Sequence, residues 1–309
     1  MIAMVLAAGL GTRLRPLTEA IPKPALPLLG SSLLEQNLAL VRRLGVTEVV
    51  VNASHRAEVV AEVARRAADR LGLRLHLSFE RPEPLGTGGA LVAARPLLDR
   101  GETIVLVNGD VLTDMDLAPA LERHRAERPA ATLVLRSMPA DADYAPVEID
   151  DRGQVLRIAG QGREGVGRPF LFAGIHFLEP RVLDVLPPEG ASCINRQGHV
   201  ALVERGGRIH GHVIDEGSWS DVGTPERYRQ AVLDLLRGRY RLPGFEAIEG
   251  VYVAPEAVVE EGARLHAPAW IGPGARVEAN AEVGPEAVVL PGARVSGRLV
   301  CDVAFPEIR

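Results

Sequence analysis

The chain has 309 residues, 47% hydrophobic and 24% charged, a balance close to globular averages that excludes a fibrous or disordered protein. Its formal net charge is −5, so there is no broad basic field for a nucleic acid or an anionic membrane, and any phosphate binding has to be local. Two cysteines, Cys193 and Cys301, cannot make a disulfide framework and read as small buried hydrophobes in a reducing, cytoplasmic setting.

The apolar opening Met1–Ala8 is too short to span a membrane and lacks the basic flank of a signal peptide. Ile2–Leu6 reads instead as a strand buried on both faces, and Glu48–Val51 and Thr103–Val107 read the same way. Helical stretches separate them. Ser32-Leu33-Leu34-Glu35 is a capping box that opens a helix ending at Gly45, and Arg56–Leu71 is a second helix, closed by Gly72. Strand alternating with helix predicts a three-layer, Rossmann-like α/β domain with a mostly parallel sheet. From Tyr144 to Phe177 the pattern turns to strands without long helices (Pro146–Ile149, Gln154–Ile158, Phe170–Phe177), an antiparallel lobe with a mobile glycine-rich loop at Gly160–Arg168. Asp141, Asp143, Asp150 and Asp151 read as a solvated edge of that lobe. Thr224 to about Arg237, with Pro225 in its first turn, is a helix that closes a domain of residues 1–240.

Composition then changes. From Val253 an aliphatic residue or Cys recurs at every sixth position through Val259, Leu265, Ile271, Val277, Val283, Val289, Val295 and Cys301. Alanine follows four residues after each of the first seven. A period of six does not fit a helical 3.6, and the interspersed prolines would break a helix. The pattern is that of hexapeptide repeats, predicting a parallel β-helix of about three coils over residues 241–309.

The chemistry-bearing residues follow the first strand: Leu6-Ala7-Ala8-Gly9-Leu10-Gly11-Thr12-Arg13, then Pro22-Lys23-Pro24. A glycine-rich turn at the C-terminal edge of a strand is where an open α/β sheet binds its ligand. Gly9 and Gly11 let backbone N–H groups approach phosphate or base, and Arg13 and Lys23 supply cations. Of 35 basic residues, 34 are Arg and one is Lys, at Lys23. A compact ammonium suits a close phosphate contact that a planar guanidinium does not fit. The segment is neither a P-loop nor a dinucleotide fingerprint. His210 and His212 read as solvated or hydrogen-bonded side chains and not as metal ligands, and Trp219 reads as core.

At these residues the chain resembles the sugar-1-phosphate nucleotidyltransferases, the NDP-sugar pyrophosphorylase family. Four further segments match in order. Leu85-Gly86-Thr87-Gly88-Gly89-Ala90 resembles the nucleobase loop, and Val107-Asn108-Gly109-Asp110 the strand end whose Asp binds metal. Phe172-Ala173-Gly174-Ile175 resembles the sugar-contacting strand, and Trp219-Ser220-Asp221-Val222-Gly223-Thr224 the second metal motif. The resemblance implies nucleotide binding by Leu6, Ala7, Ala8, Gly9, Gly11, Thr12, Arg13, Lys23, Gly86, Thr87, Gly88, Asn108 and Asp110. It implies sugar-phosphate binding by Gly109, Ala173 and Gly174, Mg²⁺ held by Asp110 and Asp221, and catalysis by Arg13, Lys23, Asp110 and Asp221. Some members also carry a C-terminal left-handed β-helix.

The implied reaction joins an NTP and a sugar-1-phosphate into an NDP-sugar with release of pyrophosphate. Its nucleophile is already an anion, so the need is for charge neutralisation and in-line positioning, not for a base. One departure stands out. Where many members carry a Glu-Lys-Pro whose Lys contacts the sugar phosphate, this chain reads Val155-Leu156-Arg157-Ile158-Ala159-Gly160, and the expectation is that Arg157, Arg163 or Arg168 substitutes or that the substrate is held differently. The chain resembles mannose- and heptose-1-phosphate guanylyltransferases in its Leu-Gly-Thr-Gly-Gly, and N-acetylmuramate-1-phosphate uridylyltransferases in lacking that Lys. The expectation favours GTP with mannose-1-phosphate or a related sugar, with a UTP-dependent N-acetylmuramate-type enzyme as alternative. A catalytically silent NDP-sugar-sensing subunit is the reading of another class, and a β-helix acyltransferase ranks last. A homo-oligomer, assembled through the β-helix, is expected, with neither nucleic acid nor membrane as partner.

Overall fold

The computed structural model describes residues 1–139, 144–243 and 245–306. Asp141 and Asp143 lie outside them. By their contacts the residues form two compact units. One comprises Met1–Gly9, Asn37–Val111 and Met115–Gly217, and the other Leu10–Gln36, Leu112–Asp114 and Ser218–Arg309.

The first unit is built on a ten-stranded mixed sheet. Ile2–Leu6 lies between Ile104–Asn108 and Glu48–Ala53, parallel to both, and Arg74–Phe79 extends the parallel half. The three predicted strands are therefore present, buried throughout their centres as continuous apolar runs require. Ala57–Leu71 packs on Glu48–Ala53 and Arg74–Phe79, and ends at Gly72 in the left-handed conformation, φ 64°.

The sheet's other half is antiparallel. Arg168–Leu178 runs against Ile104–Asn108, Ala131–Ser137 and Val147–Ile149, and Val155–Ile158 runs against Val147–Ile149. Ile209–Val213 pairs parallel with Ala131–Ser137. The sheet as a whole is thus mixed, more so than the alternating pattern predicts. The loop expected at Gly160–Arg168 is largely tied down. Gln161–Gly162 pairs with Arg157–Ile158, and Arg168 begins the long strand. A Cβ on Gly162 would stand 2.2 Å from the Leu156 carbonyl oxygen, so glycine there serves close packing and not mobility. Asp150 accepts from the backbone N–H of Arg152 and Gln154 at 2.9 and 2.8 Å, a turn-forming role at the lobe's edge.

The second unit joins two architectures over one core. Ser32 Oγ accepts from Glu35 N–H at 3.2 Å, the forward half of the predicted capping box. Pro225–Leu236 is the predicted helix, capped by Thr224 Oγ1, which accepts from Arg227 N–H at 3.3 Å. The hexads then form three parallel sheets in which strands pair eighteen residues on, as in Val251↔Ala269 and Ala269↔Ala287, until the last coil, where Val283 pairs with Leu299 and Val288 with Val303 and the repeat shortens. Ala269, Ile271, Ala275, Val277, Ala281, Val283, Ala287, Val289, Ala293 and Val295 make the continuous buried column that the period predicts. The ends of the repeat differ. Val253 and Val259 are 37% and 38% exposed, because the first strands have a neighbour on one side only.

The change of composition near residue 240 is a change of architecture without a break in packing. Trp270, Val288, Leu290 and Val303 of the repeat share a core with Tyr228, Val232 and Leu235 of the helix and with Leu14, Leu17 and Leu26. Arg229 and Arg237 both reach Glu286, at 2.9 and 3.0 Å. Neither cysteine is the buried hydrophobe expected: Cys193 is half-buried, and Cys301 is exposed at a turn beyond the last buried hexad. Among the described residues no helix is long and apolar enough to cross a membrane.

Candidate functional site

In the first unit the strands Ile2–Leu6 and Ile104–Asn108 end side by side, with Leu6 opposite Asn108 in the parallel register. Leu6–Gly9 and Asn108–Asp110 therefore leave the sheet together at its C-terminal edge, the ligand-binding edge of an open α/β sheet. A Cβ on Gly109 would fall 2.0 Å from the Leu6 carbonyl oxygen. Only glycine lets the two segments run this close. Gly9 is different: it is exposed, and a Cβ there would meet nothing within 4 Å among the described residues. Ala8 is buried, and Ala7 N–H donates to Asn52 Oδ1 at 2.6 Å, so that amide is engaged inside the protein.

Arg168–Leu178 carries an irregularity between Phe172 and His176. Gly174 sits in it at φ 78°, where a Cβ would be 2.6 Å from Val111 and 3.2 Å from Asn108. The bulge thus brings Ala173 and Gly174 beside the end of the Asp110 strand. Asp110 itself is half-buried and has partners of its own.

The Leu85–Gly89 loop opens the helix Gly86–Ala93. The segment Gly190–Ser192 lies across it. Gly88 N–H donates to the Ser192 carbonyl at 2.8 Å, Ser192 N–H to the Leu85 carbonyl at 2.9 Å, and Ile194 N–H to Thr87 Oγ1 at 2.9 Å. Cβ atoms on Gly86, Gly88 and Gly89 would each stand 2.6 Å from an oxygen of this segment. These glycines are required by a protein strap. The amide of Gly88, a residue expected at the nucleotide, is engaged by Ser192, while Gly86 remains exposed.

Arg157 is likewise committed. Its Nε and Nη2 donate to the Glu148 carboxylate, and its Nη1 to the carbonyls of Arg163 and Gly165 at 3.3 and 3.1 Å. This cross-strand fork holds the lobe together. The pair keeps Glu148 below the usual carboxylate range.

In the second unit Gly11 sits at φ 63°, and its carbonyl accepts from Thr18 Oγ1 at 2.9 Å. A Cβ on Gly11 would come 2.8 Å from Thr18 and 3.4 Å from Lys23 Cβ, so the turn folds directly against the lysine. Lys23 is half-buried between the buried prolines Pro22 and Pro24, which restrict its backbone. Thr12 and Arg13 form a short exposed helical turn after Gly11.

Asp221 ends the strand Trp219–Asp221, which pairs with Val111–Thr113. Its carboxylate accepts twice from Arg227 Nη1, at 2.5 and 2.7 Å, and its side chain is 16% exposed. Gly223 keeps the next position open: a Cβ there would be 3.3 Å from Arg13 Nη2 and 3.5 Å from Asp221 Oδ2. Arg13 and Asp221, expected as cation and metal ligand, thus converge on one glycine. Trp219 is half-buried, not core; the fully buried tryptophan is Trp270.

A family model described as Nucleotidyl transferase matches residues 2–238. The chain belongs to the nucleotidyl transferase family.

Within it, the chain is 35% identical over 238 residues to a mannose-1-phosphate guanylyltransferase of Mycobacterium tuberculosis, covering 76% of this chain and 65% of that protein. It is 33% identical over 252 residues to a UTP–glucose-1-phosphate uridylyltransferase of Synechocystis sp., covering 76% and 63%. The chain thus spans somewhat less than two thirds of these relatives. In fold it is similar to HddC from Yersinia pseudotuberculosis, crystallised with GMP-PN, at a TM-score of 0.62 and 22% identity over 75% of this chain and 97% of that one.

Two participants were not anticipated. Arg227 lies six residues beyond Asp221, a spacing that a helix after the cap Thr224 turns back toward the strand end. The strap at Gly190–Ser192 is more than a hundred residues from the loop it covers, and no local pattern announces it. Asp110 in the first unit and Asp221 in the second each offer the hard oxygens that suit magnesium, which commonly takes one or two carboxylates with water and substrate phosphates. Among the described residues no group of three or more His, Cys, Asp or Glu could hold a metal, so no closed protein cage is present. His210 is buried and not solvated: its Nδ1 lies 3.1 Å from the Glu127 carboxylate, and burial lowers its pKa below the usual histidine range.

Proposed function

We propose that the chain is a sugar-1-phosphate nucleotidyltransferase. An oxygen of the sugar phosphate attacks the α-phosphorus of an NTP, the bond to the β-phosphate oxygen breaks, and pyrophosphate leaves. The observation that carries this reading is the paired exit of Leu6–Gly9 and Asn108–Asp110 from adjacent parallel strands, within a family match spanning residues 2–238. Gly9 and Gly11 supply an open turn for the triphosphate. Arg13 and Lys23 neutralise charge on it. Gly86 and Thr87 lie against the base, and Gly109, Ala173 and Gly174 against the sugar phosphate. Asp110 and Asp221 would hold Mg²⁺, which supplies charge stabilisation at the phosphates. Arg157 is left out of the substrate set because Glu148 and two loop carbonyls hold its guanidinium.

The resemblance of relatives named mannose-1-phosphate guanylyltransferase supports GTP with mannose-1-phosphate or a related sugar. The eighteen-residue pairing of the hexads supports a left-handed parallel β-helix of about three coils, serving stability and assembly of a homo-oligomer. Metabolic substrates of this class suit a cytoplasmic setting. The test is pyrophosphate release from each of the four NTPs against a panel of sugar-1-phosphates. The reading expects turnover with GTP and mannose-1-phosphate or a close relative. Absence of release with every pair, in the presence of Mg²⁺, overturns it.

A further inference from the structure

Two buried polar side chains lie behind the glycine-rich turn and take no part in the chemistry above. Asn52, near the end of Glu48–Ala53, is 3% exposed, and Glu80, just past Arg74–Phe79, is 2% exposed. Glu48–Ala53 pairs with Ile2–Leu6, and Arg74–Phe79 pairs with Glu48–Ala53, so Ala7, Asn52 and Glu80 stand at the same edge on three successive strands. A continuous relay joins them. Ala7 N–H donates to Asn52 Oδ1 at 2.6 Å, Asn52 Nδ2 donates to Glu80 Oε1 at 2.7 Å, and Leu85 N–H donates to Glu80 Oε2 at 2.6 Å.

The residue types are dictated by what they must satisfy. A backbone N–H at each end requires an acceptor at each end. An amide next to a carboxylate meets that need, since the amide accepts on one side and donates on the other, while the carboxylate accepts twice. Two apolar side chains would leave both amides without these partners, and two acids would place like charges in contact. The backbone groups that the relay ends on belong to Ala7, which starts the glycine-rich turn, and to Leu85, which precedes Gly86. Leu85 is held from the opposite side as well, by Ser192 N–H on its carbonyl.

We propose that Asn52 and Glu80 are positioning residues that tie the glycine-rich turn to the Leu85–Gly89 loop and fix the spacing between them. In its consequence for binding this rests on the proposed function, in which one loop holds the triphosphate and the other the base. A spacing held by two short hydrogen-bonded side chains keeps both loops preorganised for one nucleotide, and misplacement of such groups by about 1 Å is costly on the order of a hundredfold.

The exchange of acid and amide tests the tie. In Glu80→Gln one oxygen is lost as an acceptor, so an N–H donor faces another N–H at Leu85 or at Asn52. In Asn52→Asp two carboxylates meet. In the double variant N52D/E80Q every donor again meets an acceptor. The carboxylate now at position 52 accepts from Ala7 N–H and from the amide now at position 80, and the oxygen of that amide accepts from Leu85 N–H. Side-chain sizes are unchanged throughout. The first readout is hydrogen exchange of the full-length protein without substrates. E80Q should speed exchange in peptides covering 5–12 and 84–92 together, and the double variant should restore both. The second is kinetic: E80Q should raise KM for the NTP about tenfold with KM for the sugar phosphate within about twofold, and the double variant should return to within about threefold of wild type.

Loosening of one loop alone, failure of the exchange to restore protection, or equal change in both KM values overturns the proposal. Where E80Q does not fold, the double variant is compared with wild type directly, and loose loops in it are equally decisive. A wild type that releases no pyrophosphate overturns the proposed function, while the exchange measurement still decides the tie.

Discussion

Gly86 and Gly72 have nearly the same backbone, φ 69° and φ 64°, and opposite surroundings. A Cβ on Gly72 meets nothing within 4 Å among the described residues, whereas one on Gly86 stands 2.6 Å from the Ser192 carbonyl oxygen. Alanine at either site incurs the left-handed penalty of about 1–2 kcal/mol, partly offset by a stiffer unfolded chain. G72A should therefore lose about 1 kcal/mol. At Gly86 the Ser192 carbonyl must also move, and that carbonyl accepts from Gly88 N–H at 2.8 Å. Leaving the buried Gly88 donor unpaired adds about 1–3 kcal/mol, so G86A should lose about 2–4 kcal/mol in all. For a chain this long each kcal/mol lowers Tm by about 2–4 °C. Thermal melts of both variants without nucleotide give the comparison, with a drop for G86A at least twice that for G72A. Equal drops would show that Ser192 does not press on the loop, and that its glycines serve the ligand alone.

Four further outcomes are expected. Lys23→Arg keeps the charge but enlarges and flattens the group, and steady-state kinetics should show a loss of about tenfold or more in kcat/KM, near 1.4 kcal/mol; wild-type kinetics would make the lone lysine an accident of composition. Asp110→Asn and Asp221→Asn should each lower kcat by at least about a hundredfold, and full turnover in excess EDTA would sink the metal-assisted mechanism. His176 Nδ1 and His199 Nε2 lie 3.0 Å apart in the core, and burial lowers His199 to about 3 and His176 well below its usual range. Both are neutral when folded and protonate near 6.5 when unfolded, so their stabilisation is complete above that pH. It falls by up to about 1.4 kcal/mol per histidine for each pH unit below it; a Tm that stays flat from pH 7 to pH 5 refutes this. Truncation after Arg239 should lower Tm sharply and change the mass in solution, because it strips Trp270, Val288 and Val303 from the core around Tyr228; an unchanged melt and mass would contradict it.

Much of the fold was legible because its causes are local. Apolar runs made the parallel strands, Ser32 and Thr224 capped their helices through side-chain oxygens three residues from the amides they accept, and Gly72 ended its helix through its own φ. The hexads were legible for a related reason: through Val295 each turn of the repeat stacks on the one eighteen residues before it, so a single period states their contact pattern. The site was legible as segments, since the glycine-rich turn, the Asp110 strand end and the Asp221 motif are each contiguous.

Tertiary structure decided which groups in those segments are available. The resemblance placed Ala7 and Gly88 among the nucleotide-binding residues and offered Arg157 for the sugar phosphate, but the amides of the first two are held by Asn52 and Ser192, and Glu148 holds the guanidinium. Neighbouring strands decided the first and third, and a strap some hundred residues away decided the second. Half-buried Trp219 and exposed Cys301 belong to the same class, because exposure depends on what the rest of the chain lays over a residue. A run of residue types records its own periodicity and turn chemistry. It does not record which distant donor or acceptor satisfies a buried amide, and in this protein those long-range pairings set the two loops in place.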